Sequence, residues 1–225
     1  MYRTPICRLL QKLDLRRKRK SHYAQEQDRD DVKKRLEYLN RISVMDPKDL
    51  VFIDEFGANL MMCRQCARAF GGDRVKCPKP FNRGSRYSII GAITHKEIIA
   101  AMYGEWSTNG DIFLEFLKHS LCPKLESRHK VILDNVSFHK LNAAVELIES
   151  TGAEVIYLPP YSPELSPIEN MWSKIKTSLR ALAARTNDDF QNAIKVAFMA
   201  VQSDDLKNWF EYCGYKLDQH LCKPL

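Results

Sequence analysis

The sequence predicts an α/β fold: a mixed sheet of three antiparallel strands followed by a parallel βαβ unit, with helices packed on it. Two observations carry this. Five short apolar runs have the texture of strands: LVFID, SIIGAI, EIIAAMYGEW, KVIL and EVIYL. The connections between them differ in kind. Only THK separates the second run from the third, which suits an antiparallel hairpin. A helix-length stretch separates the fourth from the fifth, which suits parallel strands with a right-handed crossover.

The elements follow in order. Residues 1–15 read as a short amphipathic helix, with Ile6, Leu9, Leu10 and Leu13 at helical spacing. The basic run Arg16-Arg17-Lys18-Arg19-Lys20 follows; it reads either as a solvated linker or as an arm that contacts phosphates. Residues 27–43 predict a second helix with Val32, Leu36, Leu39 and Ile42 on one face, ended by Pro47. LVFID then reads as a buried strand closed by Gly57. Residues 109–121 read as a helix with Ile112, Phe113, Phe116 and Leu117 inward, and residues 139–151 as another. Closing helices are expected at about 167–183, 188–202 and 204–212.

At 225 residues the chain fits one substantial domain with a small appendage. Its 44% hydrophobic and 28% charged residues are those of a soluble globular protein. A net charge of +7 points to an anionic partner, of which nucleic acid is the commonest. No apolar run approaches the roughly 18 residues that a membrane span needs, so no membrane role is expected. The N-terminus lacks the apolar core of a secretory signal. Seven cysteines, an odd number, form no even disulfide framework and favour a reducing, cytoplasmic setting.

Three acids stand where chemistry gathers in sheets with parallel strands, beyond the strands' carboxyl ends. Asp54 closes VFID, Asp134 closes KVILD, and Glu169 follows EVIYL after LPPYSPELSPIEN. Each has a plain alternative. A strand-end aspartate is often a turn residue. Ser166-Pro167-Ile168-Glu169 reads as a capping box with proline at the first helical position. Glu164 is expected to face solvent. The grouping argues against coincidence, because three converging carboxylates repel one another and resist ionising. A divalent cation removes that conflict, and Mg²⁺ prefers such oxygen ligands. Two such ions about 4 Å apart can serve an in-line displacement at phosphorus. The prolines would stiffen the approach of the helix that carries the third acid. On that helix Ile168, Trp172, Ile175, Leu179 and Leu182 form a core stripe, with Glu169, Ser173, Lys176 and Arg180 beside it. Trp172 reads as core, as do Trp106 and Trp209. Lys176 and Arg180 are placed to meet a phosphate backbone.

The motifs VFIDEFG, VILDNVSFHK and LPPYSPELSPIENMWSKIK resemble the catalytic domain of DDE transposases, in the bacterial insertion-sequence branch of the mariner superfamily. The resemblance covers about Asp49 to Tyr215. The 34 residues between Asp134 and Glu169 (135–168) match that superfamily's spacing. It implies a ribonuclease H-like fold and a metal-binding catalytic triad of Asp54, Asp134 and Glu169 that uses Mg²⁺, with Mn²⁺ as substitute. It also implies DNA cleavage at the ends of a mobile element, then attack of the 3′ hydroxyl on target DNA, usually at a TA dinucleotide. Residues 1–22 then resemble the remnant of an N-terminal helix-turn-helix region with its basic linker. Residues 23–46 would be a linker helix, 47–215 the catalytic domain and 216–225 a tail. Expected partners are element-end and target DNA, a second copy of the chain, and a DNA-binding half encoded upstream. The expected location is the bacterial cytoplasm, at the nucleoid. Two other readings stay open: a ribonuclease H-like nuclease or resolvase without strand transfer, and a truncated DNA-binding fragment without catalysis.

Remaining features fit around this reading. The stretch from Cys63 to Arg86 carries seven basic residues and one acid, Asp73. It reads as a DNA-contacting surface through Arg64, Arg68, Arg74, Lys76, Lys79, Arg83 and Arg86, or else as a solvated loop. Cys63 and Cys66 have zinc-like spacing, with Cys77 and His95 further on, but no second close pair. His139 and Lys140 read either as an ordinary exposed helix start or as residues that contact phosphate or support the metal site from behind, and Asn135 likewise.

Overall fold

The computed structural model describes residues 31–71, 74–76, 78, 81 and 84–217, together with 9, 12 and 13; of residues 31 and 32 only the backbone is described. The expected helix over 1–15 falls outside these residues apart from those three. The basic run Arg16–Lys20 and the tail beyond residue 217 fall outside them altogether.

Among the described residues five strands form one sheet: β1 (Leu50–Asn59), β2 (Arg86–Ile93), β3 (Ile98–Gly104), β4 (Lys130–Leu133) and β5 (Glu154–Tyr157). Their spatial order is β3-β2-β1-β4-β5. The β1–β2 and β2–β3 pairs are antiparallel, and the β1–β4 and β4–β5 pairs are parallel. The two connection types in the sequence thus mapped onto the two halves of the sheet. Among the described residues six helices flank it: α1 (Asp31–Ser43), α2 (Gly110–Phe116), α3 (Asn142–Glu149), α4 (Pro167–Leu182), α5 (Asn187–Met199) and α6 (Ser203–Tyr212). Among the described residues, no helix is long and apolar enough to cross a membrane.

The two-residue period of β1 sorts the core into two layers. Leu50, Phe52, Phe56 and Ala58 join α4, α5 and α6 on one face. Val51 and Ile53 join α2 and α3 on the other. Asp54 therefore belongs to the α4 face, and its neighbour Glu55 to the opposite one. Ile168, Met171, Trp172, Ile175 and Leu179 of α4 are all buried. Each contributes roughly 1.5–3 kcal/mol of burial, which holds the helix rigidly on the sheet. Leu182, expected to extend that stripe, is 46% exposed. The helix ends there because Ala183 turns into the left-handed region at φ 49°.

Four expectations are corrected. Gly57 does not end the first strand: β1 runs on to Asn59, because β2 pairs with it along its length, including Gly57↔Ser88. The helix expected from residue 139 begins as a 3₁₀ turn, Ser137–Lys140, and α3 proper starts at Asn142. The expected 109–121 helix is α2 followed by a π turn over Leu117–Leu121. On α1, Leu36 and Leu39 face outward at 55% and 40% exposure, while Tyr38 and Ile42 turn inward. Polar anchors set that face. The Tyr38 and Tyr215 hydroxyls lie 2.9 Å apart, and Tyr215 donates to the Leu165 carbonyl at 2.6 Å. Arg35 donates to Ser162 Oγ at 3.2 Å and pairs with Glu164, while Arg41 pairs with Glu154. The helix is thereby clasped to the proline-rich loop.

Candidate active site

The parallel ladder between β1 and β4 ends at Phe52↔Ile132. Asp54 and Asp134 lie just past that end, on neighbouring strands. Asp54 is mid-strand, opposite Gly91 of β2, not at a strand terminus as expected. Asp134 follows the last residue of β4. Asn135 donates its side-chain N–H to the Leu158 carbonyl, and Leu158 N–H donates to the Leu133 carbonyl at 2.8 Å. These bonds stitch the start of the proline-rich loop to the end of β4. The loop then delivers Glu169 in the first turn of α4. Tyr161, which follows Pro159-Pro160 in that loop, sits in the left-handed region at φ 53°, a strained conformation for a tyrosine.

The capping-box reading of Glu169 fails. Ser166 makes no side-chain cap bond, and its N–H goes to the Pro163 carbonyl instead. Glu169 is exposed and shares with Asp54 the lining of two clefts. The wider cleft, about 700 Å³, includes Glu55, Trp172, Lys176 and Arg180. Lys176 Nζ lies 4.7 Å above the Phe56 ring at its wall. Arg185 holds another part of that wall by donating to the Leu60 and Met62 carbonyls at 3.0 and 3.1 Å. The narrower cleft, about 410 Å³, is lined by all three acids with Asn135 and the proline-rich loop, and by no Lys or Arg.

The acids are electrostatically unequal. Burial, reinforced by the charges of Glu55, Glu169 and Asp134, pushes the Asp54 carboxyl well above the usual carboxylate range. Trp172 Nε1–H donates to Asp54 Oδ2 at 2.9 Å. Burial also acts on Asp134, but hydrogen bonds from His139 and from the Val136 N–H outweigh it and hold its carboxyl below the ordinary value. The His139 Nδ1–Asp134 Oδ1 distance is 2.5 Å. On the ring's other side His139 Nε2 lies 3.5 Å from Glu55 Oε2. Glu55 is pushed upward by burial, against the attraction of His139.

His139 is 0% exposed and offers no surface to a phosphate. The surface half of its expected role is thereby corrected: the ring lies against Asp134 instead. Lys140 is exposed, as are Arg64, Arg68, Arg74, Lys76 and Arg86; Lys176 and Arg180 are partly buried in the wider cleft. Arg83, Lys79 and Cys77 lie outside the described residues. Glu164 is 45% exposed at its side chain but is paired with Arg35 rather than free in solvent. Sequence reasoning missed the contact of Trp172 with Asp54 and the place of Glu55 behind His139. One signal for the first was available: Trp172 follows Glu169 by three residues and so sits one helical turn beneath it.

Among the described residues, no set of three His, Cys, Asp or Glu side chains forms a closed metal centre as it stands. The donor chemistry nevertheless fits a hard cation. Asp54, Asp134 and Glu169 bring carboxylate oxygens to one cleft that no Lys or Arg lines, and the charges of Glu169 and Asp134 add to burial in raising the Asp54 pKa.

A family model described as DDE superfamily endonuclease matches residues 49–191. Among curated proteins none matches the sequence. Among solved structures, a pre-cleavage Mos1 transpososome is similar at TM-score 0.74 and 15% identity, over 92% of this chain and 66% of that one. The Mos1 mariner paired-end complex with Mn gives 0.73 and 15%, over 92% and 66%. The catalytic domain of Mos1 mariner transposase gives 0.63 and 13%, over 86% and 91%. The chain thus spans about two thirds of the length of the Mos1 chains in those complexes. At such identities the likeness establishes the fold, an α/β ribonuclease H-like mixed sheet flanked by helices. The family match, which takes in all three acids and well over half of the chain, establishes more: the protein belongs to the DDE superfamily endonuclease family.

Proposed function

We propose that this chain is the catalytic part of a transposase of the bacterial insertion-sequence branch, cutting DNA at element ends and joining the freed 3′ hydroxyl to target DNA. The observation that carries the reading is the convergence of Asp54, Asp134 and Glu169 on one cleft, at the end of a parallel strand pair. In this reading residues 47–215 are the catalytic domain, 23–46 the linker helix, and 1–22 belong to a DNA-binding region with its basic linker.

Asp54, Asp134 and Glu169 would hold divalent Mg²⁺ or Mn²⁺, which when bound activates an attacking oxygen and stabilises the leaving one. The remaining work belongs to the chain. Lys176 and Arg180 follow Glu169 along α4 at helical spacing and line the wider cleft that Asp54 and Glu169 share, where they meet the phosphate backbone and register it against those acids. His139 holds Asp134 ionised and oriented. The basic segment with Arg64, Arg68, Arg74, Lys76, Arg83 and Arg86 supplies further phosphate contacts, as do Lys140 and the arm Arg16–Lys20. Two copies on paired element ends fit this chemistry, and Mos1 is described in paired-end complexes.

The test is nicking of supercoiled plasmid with Mg²⁺ or Mn²⁺ by the chain and by Glu169→Gln, then joining of a pre-cleaved 3′ end to target DNA. Metal-dependent nicking lost in the variant and strand joining by the parent are expected. Nicking without joining would reduce the protein to a nuclease. Nicking retained by Glu169→Gln would remove Glu169 from the site.

A further inference from the structure

We infer that Trp172 is a positioning residue for Asp54: its indole N–H holds one carboxylate oxygen and turns the other toward the cleft. This rests on the reading of Asp54 as a ligand to a divalent cation. Trp172 is 1% exposed, so at first sight it is only a large core side chain. Its N–H tells otherwise. A buried indole must find an acceptor, and this one takes Oδ2 of Asp54 at 2.9 Å rather than any backbone carbonyl.

The ring has little freedom to do anything else. Phe56, two residues along β1 on the same face, packs against it at 5.7 Å between centroids. Phe198 of α5 meets it edge-on at 6.4 Å. Across the sheet, Gly91 is the register partner of Asp54. A Cβ at Gly91 would lie 2.8 Å from Trp172 Cη2 and 3.1 Å from Cζ2. The absent side chain at Gly91 is therefore what admits the indole beside the aspartate. Strand β1, strand β2 and helix α5 together fix the ring, and the ring fixes the acid. Because Trp172 lies one turn beyond Glu169 on α4, the same helix presents one acid and orients another.

Two measurements test this. In ¹H–¹⁵N spectra of the wild-type chain, Mg²⁺ titration should move the Trp172 indole cross-peak and leave those of Trp106 and Trp209, assigned by Trp106→Phe and Trp209→Phe. Mn²⁺ binding, read by electron paramagnetic resonance of free Mn²⁺, should weaken about 10- to 100-fold in Trp172→Phe. Gly91→Ala, which presses on the ring but keeps the N–H, should weaken it as well. Ile175→Val, a pure packing change one turn away, should lower Tm and leave Mn²⁺ binding alone.

Wild-type Mn²⁺ affinity in Trp172→Phe, with binding lost in Asp54→Asn, would overturn the positioning role and leave the metal reading standing. So would an unmoved Trp172 indole peak at Mg²⁺ saturation. Equal Mn²⁺ binding by wild type and Asp54→Asn would overturn the metal reading itself, and the inference with it.

Discussion

Asp54 and Asp134 occupy equivalent places on adjacent parallel strands, yet their surroundings differ in almost every respect. Asp54 is enclosed on the α4 face, crowded by other acids, and held by an uncharged indole N–H. Asp134 is 38% exposed at its side chain and held by His139 and a backbone N–H. One carboxyl is pushed up and the other down. The difference teaches that the two aspartates are not a symmetric pair. One aspartate is locked in place at an electrostatic cost, and the other is kept charged by its partners.

The largest effects should come from the acids. Asp54→Asn, Asp134→Asn and Glu169→Gln should each reduce plasmid nicking to background. Stability should separate the two aspartates. The folded pKa of Asp54 exceeds its unfolded value, so the stability it contributes is full below the unfolded pKa and is lost as the pH rises through the folded one. In chelator at neutral pH, Asp54→Asn should therefore raise Tm; a gain of about 1 kcal/mol corresponds to about 2–4 °C at this size. Asp134 has the opposite sign. Its depressed pKa contributes stability above the unfolded value that is lost as the pH falls through the folded one, so Asp134→Asn should lower Tm. Calorimetry showing the same direction for both would break the comparison.

The next effect concerns how Asp134 is held. His139→Ala should lower nicking about 10- to 100-fold, and His139→Asn, which keeps an N–H near the Nδ1 position, should recover part of it. Equal loss in both would mean that ring volume, packed against Phe113 and Phe138, matters more than the bond. Lys176→Gln and Arg180→Gln should follow, each weakening DNA binding and reducing the slope of log affinity against log salt by about 1, measured by fluorescence anisotropy. An unchanged slope would remove both from the phosphate path.

The smallest effect should come from the clasp on the proline-rich loop. Arg35→Ala releases a partly exposed pair, with side chains 33% and 45% exposed, and so should cost no more than about 1 kcal/mol. Glu164→Gln should nick at nearly the parent rate. A large loss in Glu164→Gln would show that the loop's outer acid serves the site directly.

The legible part of the protein was the part governed by local spacing. Five apolar runs and their connections yielded the sheet's topology. Three acids in distinct motifs yielded the members of the cluster, and the 4-3-4-3 stripe on α4 yielded its buried face up to Leu179. What stayed hidden depended on partners far along the chain. The inward face of α1 was misread because Tyr38 answers to Tyr215, 177 residues away. The capping box was plausible at four-residue range, until the Ser166 N–H turned to Pro163. His139 looked like a surface residue beside Lys140, until the 3₁₀ turn drove it beneath Asp134.

By itself, then, the sequence determined the fold class and which carboxylates would meet, because periodicity and strand connections are properties of neighbours along the chain. Only the tertiary structure decided how each carboxylate is held. The indole over Asp54 needs Gly91 of another strand to make room for it, 118 residues separate donor and acceptor, and hydrogen bonds at that range follow packing, which no local pattern encodes.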